Sequence, residues 1–463
     1  MIGRPMSRRE MLKDAGCGFG MLALAGMCAE AFGAPTTTGT QTGAGTLTYH
    51  SPLAPKLPHF AAKAKRVIML FMQGGPSHLD TFDYKPKLIA DSGKQGERGK
   101  LLGSPFKFNR YGKSGLWISE LFPNVAQHAD DLTVLNGMFT DNPAHPQATI
   151  QLHTGSATFV RPSVGAWVLY GLGTLNQNLP GFITINPPAG LGGAQNYGSA
   201  FLPATFQGTR VDASGVQDIT NHSVTRGLQR KQIDLVQAMN KDMTKKTGPN
   251  EQLDGLIESF ELGFRMQSAV PEVMDISRES KATLDLYGIS SGGGGRGGDF
   301  ARQCLMARRF AEAGVRFIEV CHPGWDHHNN LRQRLSQNCQ QTDRAIAALL
   351  TDLKGRGMLK DTLVVWGGEF GRTPGAQNSD GRNHNNRGYT MWMAGGGVKG
   401  GFTYGRTDEY GGHAVEDKVH THDLHATVLA MLGLNHEKLT YRYAGRDFRL
   451  TDVYGNVVKD IMA

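Results

Sequence analysis

The chain is poor in cysteine, with five among 463 residues, and Cys17 and Cys28 lie close to its start. Cys304, Cys321 and Cys339 remain; three thiols cannot close a disulfide set, and none forms a Cys-x-x-Cys pair. Neither a disulfide scaffold nor a thiolate metal site is therefore indicated. Cys321, at the end of an apolar run, stays open to two readings, a ligand or a buried structural thiol. There is also no basic run interleaved with aromatics. The net charge is +8, part of it from Arg4, Arg8, Arg9 and Lys13, which describes a basic globular protein rather than a nucleic-acid binder. Past the first thirty residues, no stretch reaches the roughly 18 uninterrupted apolar residues of a membrane span. Internal repeats are absent. Charged residues make up 19% and hydrophobic ones 39%, an ordinary globular balance.

The N-terminus reads as a targeting segment. Ser7-Arg8-Arg9-Glu10-Met11-Leu12-Lys13 has the twin-arginine pattern, an apolar Gly/Ala-rich stretch runs from about Gly16 to Ala29, and Ala29-Glu30-Ala31 offers small residues for cleavage. Residues 1–31 are thus expected to be a twin-arginine signal peptide, giving an exported, periplasmic or extracellular protein. Residues 32–62, rich in Thr, Gly, Ala and Pro, read as a linker. Residues 63–463 are expected to form the folded domain.

Within that domain, Arg66–Met72 is apolar on both faces, as in a parallel strand covered by helices on each side. It runs into Gln73-Gly74-Gly75-Pro76-Ser77-His78-Leu79-Asp80, a sharp turn at a strand's carboxyl end, where open α/β sheets place their sites. Ser77 and Asp80 also fit a helix N-cap pair. Leu132–Leu135 and Phe182–Ile185 read as further strands, and Ala148–His153 as a helix stopped by Gly155, with His145 at its entrance. Gln229–Met243, Gln252–Gln267 and Pro271–Tyr287 have helical periodicity, which predicts a helical insertion over about 223–300, closed by a glycine-rich loop from Ser290 to Gly298. A helix over Arg302–Ala313 then leads to a strand over Val315–Val320, a long helix over Leu331–Leu353, strands over Asp361–Trp366 and Tyr389–Ala394, and a helix after His420.

The chemistry is concentrated at strand ends. Gly324-Trp325-Asp326-His327-His328 follows the Val315 strand. A carboxylate and imidazoles just past a buried strand suit a metal ion better than a core, and Asp326 and His328, two apart, point to one side when extended. His327 between them points the other way and reads as solvent-facing or supporting. Glu369 ends the Asp361 strand, His384 sits in the following polar loop, and His78 and Asp80 end the first strand. Asp326, His328, His384, Glu369, His78 and Asp80 are the candidate metal ligands. Mixed N/O donors of this kind suit zinc, manganese, calcium or magnesium. Arg372 is a candidate for neutralising an anionic ester or for pairing with Glu369. Ser77, Thr149 and Arg372 are the candidate substrate-binding residues.

Gln73–Asp83, Gly368-Glu369-Phe370-Gly371-Arg372-Thr373-Pro374 and the helix from Asp423 to Leu429 resemble an exported bacterial family, the domain of unknown function numbered 1501. The family is similar to the alkaline phosphatase and sulfatase superfamily, and the resemblance spans roughly Lys65 to Ala463. It implies a three-layer α/β/α sandwich with a mostly parallel central sheet. Asp326-x-His328 and His384 resemble the ligands of the superfamily's first metal site, and Glu369 stands where the second site's Asp is expected. Leu152-His153-Thr154-Gly155 resembles the segment after the sulfatase nucleophile, which puts His145 at the nucleophile position instead of Cys, Ser or Thr. Gln73-Gly74 replaces a metal-binding Asp, and Phe370 a His or Asn. Catalysis would then fall to water activated at the metal, or to His145 as nucleophile or acid/base, with Arg372 beside it.

Two functions follow from the resemblance. One is a metal-dependent hydrolase of phosphate or sulfate esters, sulfatase-like and acting on a sulfated or phosphorylated glycan. The other is a catalytically silent relative that binds an anionic glycan or a partner protein.

Overall fold

The computed structural model describes residues 51–463, except 98, 213–214, 217–218, 249 and 290–297. The expected leader and the first part of the expected linker lie outside the described residues, as does most of the glycine-rich stretch. The fold is a three-layer α/β/α sandwich around one mixed sheet. Its strands, numbered in chain order, are β1 (Arg66–Met72), β2 (Leu132–Phe139), β3 (Phe182–Ile185), β4 (Thr209–Val211), β5 (Phe317–His322), β6 (Thr362–Gly367), β7 (Tyr389–Ala394), β8 (Phe402–Tyr404) and β9 (Val419–His420). The spatial order is β8-β2-β7-β6-β1-β5-β3-β4, with β9 also paired to β2. Only β7 runs antiparallel to its neighbours β6 and β2; the other pairings are parallel.

β1 sits at the centre because its sequence tolerates burial on both faces. Val67 to Met72 are all buried, and Leu70 lies in register with Trp366 on β6 and Val320 on β5. Burying six such side chains contributes on the order of 10 kcal/mol, opposed by the entropy of ordering them. A helix over His145–Thr154 (α1) follows β2. Pro146 stands at its start, where a missing N–H costs no bond. Helices over Val164–Leu172 (α2), Gly298–Glu312 (α6) and Leu331–Gly355 (α7) cover the sheet, and Thr421–Met431 (α8) follows β9.

Three helices, Arg226–Thr247 (α3), Glu251–Met274 (α4) and Lys281–Tyr287 (α5), occupy the expected helical stretch. Pro271 was expected to open a helix but lies inside the last turn of α4. There it forfeits only its own N–H bond, while its carbonyl still accepts Asp275 N–H at 3.0 Å. The described part of the expected linker is tied down. Leu53 is buried, and Lys56 and Phe60 donate backbone hydrogen bonds to Leu172 and Gly433. Composition does not show such backbone pairing. Among the described residues, no helix is long and apolar enough to cross a membrane.

Candidate metal centre

β1, β2, β5 and β6 share one direction, so the segments leaving them meet at one edge of the sheet. The loop after β2 delivers His145 as the first residue of α1, and the loop between β5 and α7 delivers Asp326 and His328. Past β6, Glu369 precedes a hairpin of Gly371–Gln377 with Gly381–Asn385, in which Arg372 faces His384 across the register. The turn after β1 packs beneath. Gly74 has φ +116°, and a Cβ there would sit 2.7 Å from the Asp326 nitrogen. Only glycine allows that approach, which places Asp326 against the end of β1. The fully buried Trp325 anchors the same segment, donating its backbone N–H to Gln73 O at 3.0 Å.

His145, Asp326, His328 and His384 each offer one ligand atom, and these atoms lie within 4.8 Å of one another. The three imidazoles are arranged alike. Each donates from Nδ1 to an outer acceptor: His145 to Glu369 Oε1 at 2.5 Å, His328 to Gln377 Oε1 at 2.6 Å and His384 to the Pro143 carbonyl at 2.7 Å. These acceptors assign the tautomers and leave each Nε2 as a lone pair directed inward. His328 Nε2 and His384 Nε2 are only 3.0 Å apart, and the three Nε2 atoms lie 2.9 to 3.3 Å from Asp326 Oδ1. The buried Nε2 of His145 makes no well-directed hydrogen bond despite that proximity. Three lone pairs and a carboxylate facing one point repel one another unless a cation joins them. Imidazoles tied outward through their second nitrogen are how metal-binding histidines are held. The donor set therefore fits a divalent cation.

Electrostatics agree. Burial opposes ionisation of Asp326, but His145, His384 and Arg372 outweigh it and hold the carboxyl far below its usual range. Burial likewise opposes protonation of His145, yet Asp326 and Glu369 overcome it and raise its pKa to about 9. Without a metal, a proton takes the position of the missing positive charge. The centre is not sealed: the Asp326 side chain is 41% exposed and that of His328 29%. Phe370, fully buried, packs its ring 4.7 Å from those of His145 and His384 and forms an apolar wall behind them.

The remaining candidates lie around this centre in other roles. Glu369, taken as a ligand, is fully buried behind His145 and accepts the Gly74 N–H at 3.0 and 3.2 Å. Arg372, taken to meet substrate, has no exposed surface. It donates to the carbonyls of Gly74, Gly75, Trp325 and Arg382 and, at 2.6 Å, to Asp326. Its donors are consumed inside the fold, by those carbonyls and that carboxylate. His78 and Asp80 do not reach the cluster. Asp80 forms a fully buried ion pair with Arg382 at 2.7 Å and accepts from Ser77, while His78 Nε2 bonds the Gly411 carbonyl. Ser77 is thus engaged inside the fold rather than facing an open site. Thr149 is buried, with no partner for its hydroxyl. His327, expected to face solvent or to support the ligands, is buried, and burial lowers its pKa to about 3. Cys321 is buried and contacts Gln73 rather than the cluster. Sequence reasoning missed Gln377, whose polar loop carries no signal, and the Pro143 carbonyl, which no side-chain pattern reveals.

No curated protein matches the chain. Among solved structures it is similar to the lipoteichoic acid synthase LtaP from Listeria monocytogenes, at 10% identity over 86% of this chain and 78% of that one, with a TM-score of 0.41. It is also similar to the PsFucS1 sulfatase from Pseudoalteromonas sp., at 11% identity over 81% and 68%, TM-score 0.36. A third is alkaline phosphatase from the Antarctic bacterium TAB5, at 12% identity over 80% and 98%, TM-score 0.34. The family model described as protein of unknown function (DUF1501) matches residues 64–462, and over that span, nearly all of the domain, the chain belongs to this family.

Proposed function

We propose that the protein is an exported, metal-dependent hydrolase of phosphate or sulfate esters. The observation that carries this reading is the convergence of three outward-tethered imidazoles and one carboxylate on a single, solvent-reached point. Three nitrogen donors favour zinc over manganese, calcium or magnesium, which prefer oxygen. A divalent cation held there supplies Lewis acidity toward a phosphoryl or sulfuryl oxygen and acidifies bound water. The chain's own residues orient the donors: Glu369 holds His145, Gln377 holds His328, the Pro143 carbonyl holds His384 and Arg372 holds Asp326. His145 stands with the ligands, so this reading gives it no nucleophilic role. The twin-arginine leader supports export, since that route carries folded proteins.

A second reading, a silent member that binds an anionic glycan or a partner protein, draws on the number of donors. Four protein ligands can fill a tetrahedral site, as in structural zinc centres. The two readings separate on full-length protein purified from its exported fraction. Metal content is measured alongside hydrolysis of aryl phosphate and aryl sulfate esters. The hydrolase reading expects Asp326→Ala to lose metal and turnover together. It fails if the wild type takes up no metal under any loading condition, or if turnover survives metal removal. Metal retained without turnover of any ester supports the silent reading.

A further inference from the structure

A second concavity lies apart from the metal centre. It is an open cleft of about 700 Å³ beside β2, β9 and the start of α8, and none of the four metal-directed residues lines it. Its volume falls in the range of small-ligand sites. Its most distinctive wall is Tyr454. The residue is 62% exposed, yet its ring is stacked on the His422 ring at 5.2 Å and 10°. His422 is itself buried and held through Nε2 to the Gly155 carbonyl at 2.8 Å. The turn carrying Tyr454 is closed by its own N–H to Thr451 O at 2.9 Å and by Asn456 N–H to Asp423 Oδ1 at 2.6 Å. Gly455, at φ +96°, lets that turn press against His422, where a Cβ would sit 3.0 Å from its carbonyl. The Tyr454 ring is therefore held by an offset stack on His422 where it lines the cleft.

The charges around this platform decide what it can take. Asp141 and Glu437 line the cleft with side chains 63% and 64% exposed. Arg449 and Asn456 add donors, with Arg449 Nη1 at 3.6 Å from Glu437. Exposed carboxylates disfavour a polyanion, and a cleft lined with charged groups is poorly matched to an apolar ligand. An aromatic face presents negative charge to the weakly positive C–H face of a pyranose ring. Carboxylates accept from its hydroxyls, and arginine and asparagine donate to them. A platform fixed before binding also spares the ordering cost of the contact. We propose that this cleft is a saccharide-binding site for an uncharged sugar ring stacked on Tyr454. It is independent of the metal centre and of what that centre does.

Affinity electrophoresis of the full chain through gels containing laminarin, xyloglucan or dextran tests the proposal. Dextran sulfate and polylysine serve as charged controls. At least one neutral polysaccharide should retard the wild type. Tyr454→Ala and Asp141→Asn should each weaken retardation about tenfold, the scale of a lost aromatic or hydrogen-bonded contact. Tyr454→Phe should keep it, which separates loss of the platform from misfolding. Asp326→Asn, which leaves Arg372 an oxygen to bond, should be retarded like the wild type, because Asp326 does not line the cleft. The proposal is overturned if no neutral polysaccharide retards the wild type, or if polylysine alone does. Retardation unchanged in Tyr454→Ala, or lost in Asp326→Asn, also overturns it.

Discussion

Replacing Glu369 by Gln tests how the metal centre is built. The Glu369 carboxylate accepts two N–H groups, His145 Nδ1 at 2.5 Å and Gly74 N at 3.0 Å. Both bonds fall on Oε1, and Gly74 N also lies 3.2 Å from Oε2, so a glutamine amide keeps them only by setting its NH2 against the Gly74 N–H, and the other orientation sets that NH2 against both donors. If His145 flips tautomer to escape this, Nε2 becomes protonated and its inward lone pair is lost. Disturbing a group behind a metal-binding histidine typically costs 10- to 100-fold in metal affinity, or about 1.4 to 2.8 kcal/mol. Affinity is read by competition with a zinc-chelating dye on the full-length protein. The decisive comparison is the double-mutant cycle with His145→Ala. If Glu369 acts only through His145, Glu369→Gln should add almost nothing once His145 is gone. Equal losses in both backgrounds would make Glu369 an independent ligand and refute the arrangement described above. No loss in the wild-type background would refute it too.

Asp80→Asn breaks the buried pair with Arg382, and removing one partner of such a pair costs about 3 to 5 kcal/mol; urea denaturation should show this while bound zinc stays at wild-type stoichiometry. Lost zinc would return Asp80 to the ligand set. Gly74→Ala should lower both stability and metal affinity, because φ +116° and the 2.7 Å approach to Asp326 strain the backbone by about 1 to 3 kcal/mol; calorimetry and the dye assay read the two effects. His153, buried 2.9 Å from Glu319, has a pKa raised above its ordinary value because the carboxylate outweighs the burial penalty. The stabilisation from this pair is fully present below the unfolded pKa of about 6.5 and is lost as pH rises through the higher folded value. The stability advantage of wild type over His153→Gln should therefore shrink above that pH in urea melts, and a growing advantage would contradict the charged pair.

The alternation of doubly apolar strands with amphipathic helices made the layered sheet legible, because burial on both faces leaves a period that polar residues cannot imitate. The first strand and the segment from Phe300 onward carry that pattern most clearly. Asp326 and His328 were legible for a related reason: polar ligands just beyond a buried strand have no role in a core. His384 was named with them, and the structure brings all three together. His145 was named for catalysis by its place in the chain, and the structure groups its Nε2 with the donor atoms of Asp326, His328 and His384. His78 and Asp80 shared the strand-end signal yet turn into the fold, because Arg382, far along the chain from both and out of reach of any local pattern, claims Asp80.

The sequence alone determined which residues had to be buried and which residue types stood at strand ends, since both depend on local periodicity and on chain position. Tertiary structure alone decided how those residues divide their work. Whether a carboxylate faces a cation, braces an imidazole as Glu369 does, or neutralises a buried guanidinium as Asp80 does depends on what lies within about 3 Å, the reach of a hydrogen bond. Those neighbours, Gln377, Arg382 and the Pro143 carbonyl among them, come from distant parts of the chain.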